Sequence, residues 1–398
     1  MIQYHADVLI VGAGIVGLTI ARELVSTGCK NIILIEKEKT VGVHASGRNS
    51  GVLHAGIYYA PDSLKAASCL NGNFLMREYC RDKKLPILET GKVIVARNSD
   101  ELPILEELYR RASANGAKVE MIDEKQLARI EPNAKTHQTA LFSHYTAVVN
   151  PKLILASLKH DSEQSGVKFI FGCRFEGISG SDAIQTTSGN IRFDYLINAA
   201  GAHCDKVASV FGAGLDYRMI PFKGIYRKLK KSKSDMIRGN IYPVPDIRNP
   251  FLGVHFTKSI YGDVYLGPTA IPAFGRENYG IVKGMDKEGA RILCDDAALF
   301  FSNPKFRTVA MSEPVKYLLP FFFKDAASLV KELDIADIEP SDKVGIRAQL
   351  VNRHSGELVY DFVIEKTGST IHVLNPVSPA FTGSMDLAKK IIETGLGL

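Results

Sequence analysis

The chain has 398 residues, 45% of them hydrophobic and 23% charged, which is ordinary composition for a globular protein. That length exceeds what one hydrophobic core usually serves, so two domains are expected. The formal charge of +6 is modest, and no aromatic-interleaved basic stripe or zinc-finger spacing accompanies it, which argues against nucleic acid as a partner.

The opening MIQYHADVLIVGAGIVG carries Asp7 ahead of its apolar run and no basic leader, so no secretory signal peptide is expected. The apolar run from Val8 to Ala21 is shorter than the roughly 20 residues a spanning helix needs, and glycines interrupt it. Six cysteines without a CxxC pair read as reduced thiols, which predicts a cytoplasmic protein.

In chain order, DVLIVGAG reads as a parallel strand buried on both faces and ending in a glycine turn. IVGLTIARELVSTG places Ile15, Leu18, Ala21, Leu24 and Val25 at helical spacing, and Gly28 stops it. NIILIEKE is the next buried strand and completes a βαβ unit. Leu102 to Ala114 is expected as a helix and GAKVEMI as a short strand. NPKLILASLKHDSEQSG is expected as a helix capped by Asn150, with Pro151 in its first turn. VKFIFGCRFEGI and DYLINAAGAH follow as strands.

From about residue 222 to 273, short alternating segments with Gly and Pro, DVYLGPTA among them, predict an antiparallel sheet. Residues 300–333 are mostly helical in period, and the tail returns to strand, Pro-containing loop and final helix. The expected fold class is therefore α/β and α+β. A discontinuous Rossmann-like domain takes residues 1–85, 150–215 and 340–398, and a second domain on a mainly antiparallel sheet takes 86–149 and 216–339. The lysine-rich PFKGIYRKLKKSKS reads first as a solvated loop. Docking on an anionic membrane surface and contact with anionic substrates are its other two readings.

Gly12, Gly14 and Gly17, with Ala13, Ile15 and Val16 between them, form G-x-G-x-x-G after a strand and at the opening of a helix. The first glycine makes the turn, the second admits a pyrophosphate, and the third lets helix and strand pack closely. Glu36 lies nineteen residues past Gly17, where a carboxylate reaches the ribose hydroxyls. A nicotinamide enzyme usually continues with regular βα units, whereas here HASGRNSGVLHAGIYY follows. Such a loop suits FAD, whose flavin must be reached by further chain. Ser46, Asn49 and Ser50 offer bonds to phosphate or ribityl oxygens, Gly47 and Gly51 permit close approach, and Arg48 offsets phosphate charge.

NSGVLHAGIYY, together with GKVIVA, PFKGIYRKL, GVHFTKSIYGDVYLGPTA and GIRAQLV, resembles the L-2-hydroxyglutarate dehydrogenase/oxidase group. That group belongs to the wider D-amino-acid-oxidase and glycerol-3-phosphate-dehydrogenase-like superfamily of FAD enzymes. The resemblance runs from Asp7 to about Ser384. It implies a glutathione-reductase-like FAD domain, with contacts at Gly12, Gly14, Ile15, Val16, Gly17, Glu36 and Lys37 and along Ser46, Arg48, Asn49, Ser50, Gly51 and Val52. It further implies contacts at Phe175, Ala199, Ala200, Gly201 and Arg347, with Pro379, Ala380 and Phe381 beside the flavin. Two positions depart from the pattern: His203 stands where Trp often follows the Ala-Gly turn, and Arg48 where His is more usual.

The implied activity is oxidation of a small anionic 2-hydroxy acid, L-2-hydroxyglutarate before others, with electrons passed to a quinone or to oxygen. A base must take the hydroxyl proton, and His54 and His255 are the candidates, with His54 the nearer to the flavin loop. Arg347 is the candidate clamp for one carboxylate and Lys223 for the other, with Tyr59 and Tyr58 as hydroxyl donors. No HExxH or CxxC spacing indicates a metal. An amino-acid or amine oxidase, a glycerol-3-phosphate dehydrogenase, and a non-catalytic flavin-binding sensor or assembly protein remain as alternatives. The lysine cluster leaves open a peripheral position on the inner face of the membrane, and the sequence leaves the oligomeric state open.

Overall fold

The computed structural model describes residues 2–246, 251–285 and 287–397. The opening forms as expected: strand Ile2–Val11 (β1), helix Ile15–Ser26 (α1) and strand Ile32–Glu36 (β2). β1 lies parallel to β2 on one side and to strand Gly189–Asn198 on the other, and β2 continues parallel to Lys168–Phe171. The strand Gly189–Asn198 splits its free edge. Its first half pairs antiparallel with Ala183–Thr186, and its last three residues pair parallel with Thr370–Val373.

Helices α1, Leu64–Asp82, Pro151–Gln164 and Ala380–Leu396 contribute to the largest apolar cluster, against the face of this sheet carrying Val8, Ile10, Ile32 and Leu34. Leu9, Val11, Ile33 and Ile35 fill a second cluster on the opposite face. Both faces are covered, which is why these strands are continuously apolar. Asn150 caps its helix as expected, its side chain accepting from the Lys152 and Leu153 amides.

A nine-stranded sheet carries the rest, built from strands between Lys92 and Ser143 and between Tyr217 and Asn352. Its longest pairing joins Tyr217–Leu229 to Ile338–Asn352 antiparallel. This corrects two expectations. Ile338–Asn352 belongs to the second sheet, so the return to the first comes at Ile364–Thr367 and Thr370–Val373 rather than at residue 340. PFKGIYRKL is not a solvated loop but the core of a strand, with Phe222, Lys223 and Tyr226 buried. The stretch beyond it is a short 3-10 turn, Lys231–Met236. Lys228, Lys231 and Lys233 of this stretch face Glu339, Asp263 and Asp337 at 3.4–3.6 Å.

Helix Gly289–Ser302 buries Asp296, and neither carboxylate oxygen has a hydrogen-bond partner among the described residues. Burial first, then neighbouring Asp295, pushes its carboxyl up to about 7, against the pull of Arg218. The folded state thus holds a proton that the unfolded state releases near pH 4, so stability falls as pH rises from about 4 to 7. Asp296→Asn is expected to stabilise the fold by about 1–3 kcal/mol at pH 8. In thermal unfolding the gain shrinks towards pH 4; an equal gain at both pH values would refute this account.

Candidate active site

A cavity of about 700 Å³ runs between the two sheets, within the size range of ligand sites. One end is the β1–α1 turn. Gly12 sits at φ +107°, and a Cβ there would come within 2.6 Å of the Ala199 carbonyl oxygen. A Cβ on Gly17 would meet the Gly12 carbonyl oxygen at 1.9 Å, so helix and turn touch as the motif requires. The Glu36 carboxylate accepts from the Ala13 amide at 2.8 Å and from the Glu38 amide at 2.9 Å. Ser46 Oγ accepts from the Ile15 amide at 2.9 Å, which brings the flavin-loop candidate onto the N-terminus of α1. A dinucleotide fits this cradle: Gly12, Ala13, Gly14 and Ile15 line it with little side-chain bulk, and the N-terminus of α1 opens on it.

Of the expected cofactor residues, Gly12, Gly14, Ile15, Glu36, Lys37, Ser46, Arg48, Asn49, Ser50 and Val52 line the cavity. So do Phe175, Ala199, Ala200, Gly201, Arg347, Pro379, Ala380 and Phe381. Val16, Gly17 and Gly51 stand behind its wall. Gly51 is needed for another reason, since a Cβ there would strike the Val149 carbonyl oxygen at 2.3 Å. Gly47 likewise makes room for the Gly42 carbonyl oxygen, 1.9 Å from where its Cβ would be. Asn49 is engaged within its own loop, donating to the Ala45 and Ser46 carbonyls and accepting from the Gly51 amide. Arg48 donates to the Val43 carbonyl and lies 4.0 Å from the Tyr279 ring centroid.

The other end of the cavity holds His54, His255, Arg347, Tyr226 and Tyr242. Burial, with Lys92, His255 and Arg347 adding to it, drives the His54 imidazole down to about 3. His255 also falls to about 3, through burial and Lys92, with a bond to the Gly253 carbonyl opposing. Both rings are therefore neutral near pH 7. His255 Nδ1 lies 2.9 Å from the Gly253 carbonyl oxygen, which only accepts. Nδ1 thus carries the proton, and Nε2 keeps the lone pair. His54 Nδ1 is buried with no hydrogen-bond partner among the described residues. Arg347, beside the Phe251 ring, is lowered to about 10 by burial, against Tyr59, and stays charged.

Three expected substrate residues lie off the cavity. Lys223 donates to the Gly280 carbonyl at 2.5 Å, so it ties down a loop instead of facing a carboxylate. Tyr58 accepts from Lys92 Nζ at 3.0 Å, and Tyr59 is hydrogen-bonded to Ser378.

Sequence reasoning passed over the segment FGRENYGIVKGM. Arg276, almost wholly buried, donates to the Ala202 carbonyl and pairs with Asp205 and Glu288. Glu277 pairs with Lys37 at 2.7 Å and His203 at 3.0 Å, and these partners hold its carboxyl below the usual range, His203 foremost. The second sheet's loop is thus fastened to the glutamate-ribose end of the cradle. Glu38, His44 and Glu277 bring ligand-type atoms within 4.8 Å of one another. Lys37 Nζ already sits among them, 2.5 Å from Glu38 and 2.8 Å from His44, and supplies the positive charge.

A glycine cradle opening into a buried histidine-arginine chamber defines a dinucleotide-dependent oxidoreductase. The chain belongs to the FAD dependent oxidoreductase family, whose model matches residues 7–391, and FAD is its cofactor. It is 38% identical to L-2-hydroxyglutarate dehydrogenase, mitochondrial, of Caenorhabditis elegans, over 98% of this chain and 93% of that protein. It is 36% identical to L-2-hydroxyglutarate dehydrogenase of Indibacter alkaliphilus, over 98% of both chains. Among solved structures, FAD-bound L-alpha-glycerophosphate oxidase of Mycoplasma pneumoniae superposes with a TM-score of 0.77 at 21% identity, covering 98% of this chain and 94% of that one. Glycine oxidase of Geobacillus kaustophilus follows at 0.72 and 17%, covering 98% and 94%. At those identities the likeness speaks for the fold alone.

Proposed function

We propose that this protein oxidises L-2-hydroxyglutarate to 2-oxoglutarate. The observation that carries this reading is a cavity lined by His54, His255 and Arg347, two neutral imidazoles beside a half-buried cation. An anionic hydroxy acid offers a carboxylate to the guanidinium and a hydroxyl that a neutral base can deprotonate. The names of the two relatives support the five-carbon dicarboxylate over a shorter acid.

In this reading Gly12, Gly14, Ile15, Glu36 and Ser46 would hold the dinucleotide, and residues 199–201 and 379–381, which line the same cavity, would lie towards its flavin. FAD, when bound, supplies the acceptor for the hydride leaving the hydroxyl-bearing carbon. Arg347 clamps a substrate carboxylate and fixes which carbon faces inward. His255 Nε2 takes the hydroxyl proton, and its Nδ1–H bond to Gly253 holds the ring in place. His54 presents its unsatisfied Nδ1 as a second polar contact. The test is anaerobic mixing with L-2-hydroxyglutarate, its D-isomer, amino acids and glycerol 3-phosphate. Bleaching of the flavin band by the L-hydroxy acid alone is expected. Bleaching by an amino acid or glycerol 3-phosphate alone would overturn the reading, as would none at all, which fits a flavin sensor.

Electrons then pass to a quinone at an anionic membrane surface. No helix among the described residues is long and apolar enough to cross a membrane. The helices Gly289–Ser302, Pro304–Ser312 and Leu319–Ala327, with the loop before them, instead expose Ile281, Phe301, Met311 and Leu318, Phe301 at 80%. Lys283, Lys287, Lys305 and Lys324 are exposed alongside, without an ion pair among the described residues. Exposed apolar groups interleaved with unspent cations suit anionic lipid headgroups. Co-sedimentation with phosphatidylglycerol vesicles is expected, weakened about tenfold by Phe301→Ser with Leu318→Ser. Failure of the unaltered protein to bind such vesicles, with rapid turnover on oxygen, would point to oxygen as the acceptor.

A further inference from the structure

Lys92 stands at the start of strand Lys92–Val95 and is 1% exposed. Its Nζ donates to the Tyr58 hydroxyl at 3.0 Å and lies 4.5 Å from the Tyr58 ring centroid and 4.7 Å from that of Tyr242. Tyr242 in turn stacks on His255, with centroids 3.8 Å apart and planes 22° from parallel. One aromatic ring therefore separates this amine from the candidate base. Among the described residues no carboxylate pairs with it, a costly state for a buried amine. Two aromatic faces and one hydroxyl offset part of that cost. The arrangement has no need of Lys for packing, since a leucine or methionine fills such a slot without the desolvation.

We propose that Lys92 is a positioning residue for the oxidation proposed above: it braces Tyr58 and the stacked Tyr242–His255 pair and places a positive charge behind both imidazoles. The inference rests on that reading of the chamber. The groups that face this region are Tyr58 and Tyr59, Lys65 and Cys69 from helix Leu64–Asp82, Tyr242, His54, His255 and Arg347. None of these is a carboxylate, so nothing in the set cancels the Lys92 charge. That charge disfavours a second proton on either ring, which keeps the lone pair of His255 Nε2 available until substrate brings its own negative charge. Burial pushes the Lys92 amine itself down to about 7, so the effect fades above neutrality as the amine loses its proton.

The test compares Lys92→Met and Lys92→Arg in the FAD-loaded enzyme, with two readouts. The first is the pH profile of kcat/KM for L-2-hydroxyglutarate. The second is the titration of the His255 ring by nitrogen-15 histidine NMR without substrate. Loss of the cation in Lys92→Met is expected to raise the ring's pKa by at least about one unit and to move the acid limb of kcat/KM up with it. Lys92→Arg keeps a permanent charge, so it retains the acid limb of the unaltered enzyme. If Lys92→Met does not fold, Lys92→Gln takes its place. An unshifted ring titration in a folded, flavin-loaded neutral variant overturns the proposal, as does Lys92→Arg behaving like Lys92→Met. Should the enzyme oxidise another substrate class, the ring titration still decides the role of Lys92, since it needs no substrate.

Discussion

His255→Asn is expected to lower the rate of flavin reduction about 100- to 10,000-fold while leaving the protein loaded with FAD. Asparagine keeps a donor close to the position of Nδ1, so the bond to the Gly253 carbonyl survives. What it removes is the lone pair on Nε2. The sequence offered two candidate bases, and the argument for His255 over His54 is one of tautomer. A carbonyl partner obliges His255 Nδ1 to hold the proton, whereas His54 Nδ1 has no partner among the described residues to set its tautomer. His54→Asn should accordingly cost less in kcat than in KM. The reverse pattern, with the large loss in kcat at His54, would exchange their roles. Because burial lowers both imidazoles to about 3, the acid side of kcat/KM should show no fall through pH 6.5, where an ordinary imidazole would protonate. A fall centred at 6.5 would mean that neither ring is the base in the form described.

The second large effect is expected at Arg347. The residue sits opposite Phe222 in the long strand pair, with its guanidinium 5.1 Å from the Phe251 ring centroid. Removing one partner of a buried charge pair costs about 2–5 kcal/mol. Arg347→Met should therefore cut kcat/KM for L-2-hydroxyglutarate roughly 100- to 1,000-fold, read by steady-state kinetics with an artificial acceptor. Arg347→Lys keeps the charge but not the planar fork, and about a tenth to a hundredth of the activity should remain. Equal activity in all three proteins would remove Arg347 from substrate binding. Lys223→Met is the informative control. Its amine is spent on the Gly280 carbonyl, so the variant should loosen the Phe274–Met285 loop rather than raise KM selectively.

The dinucleotide half of the site was legible in the residues because its constraints are local. Gly17 is demanded by the Gly12 carbonyl five residues before it, Gly12 makes the turn itself at φ +107°, and Glu36 ends the very next strand. Periodicity likewise found α1, Leu102–Ala114 and Pro151–Gln164, since each helix writes its own buried stripe. The substrate half was only partly legible. Lysines in PFKGIYRKLKKSKS looked solvated because composition cannot tell a strand under a loop from a loop in water. Lys223 is buried, and its amine is bonded to a carbonyl 57 positions away.

By itself, then, the sequence determined the βαβ cradle, its preference for FAD, and the short roster containing both histidines and Arg347. Tertiary structure alone decided which of that roster meets in one chamber and which stands behind its wall. It also brought in Tyr242, Arg276 and Glu277, which lie in no motif read from the sequence, and gave a place to Lys92, whose GKVIVA stretch carried the resemblance without a role. The physical reason is range. Turn geometry and helix spacing act over a few residues, whereas burial, ion pairing and the field at an imidazole are set by strands that meet only when the chain is folded.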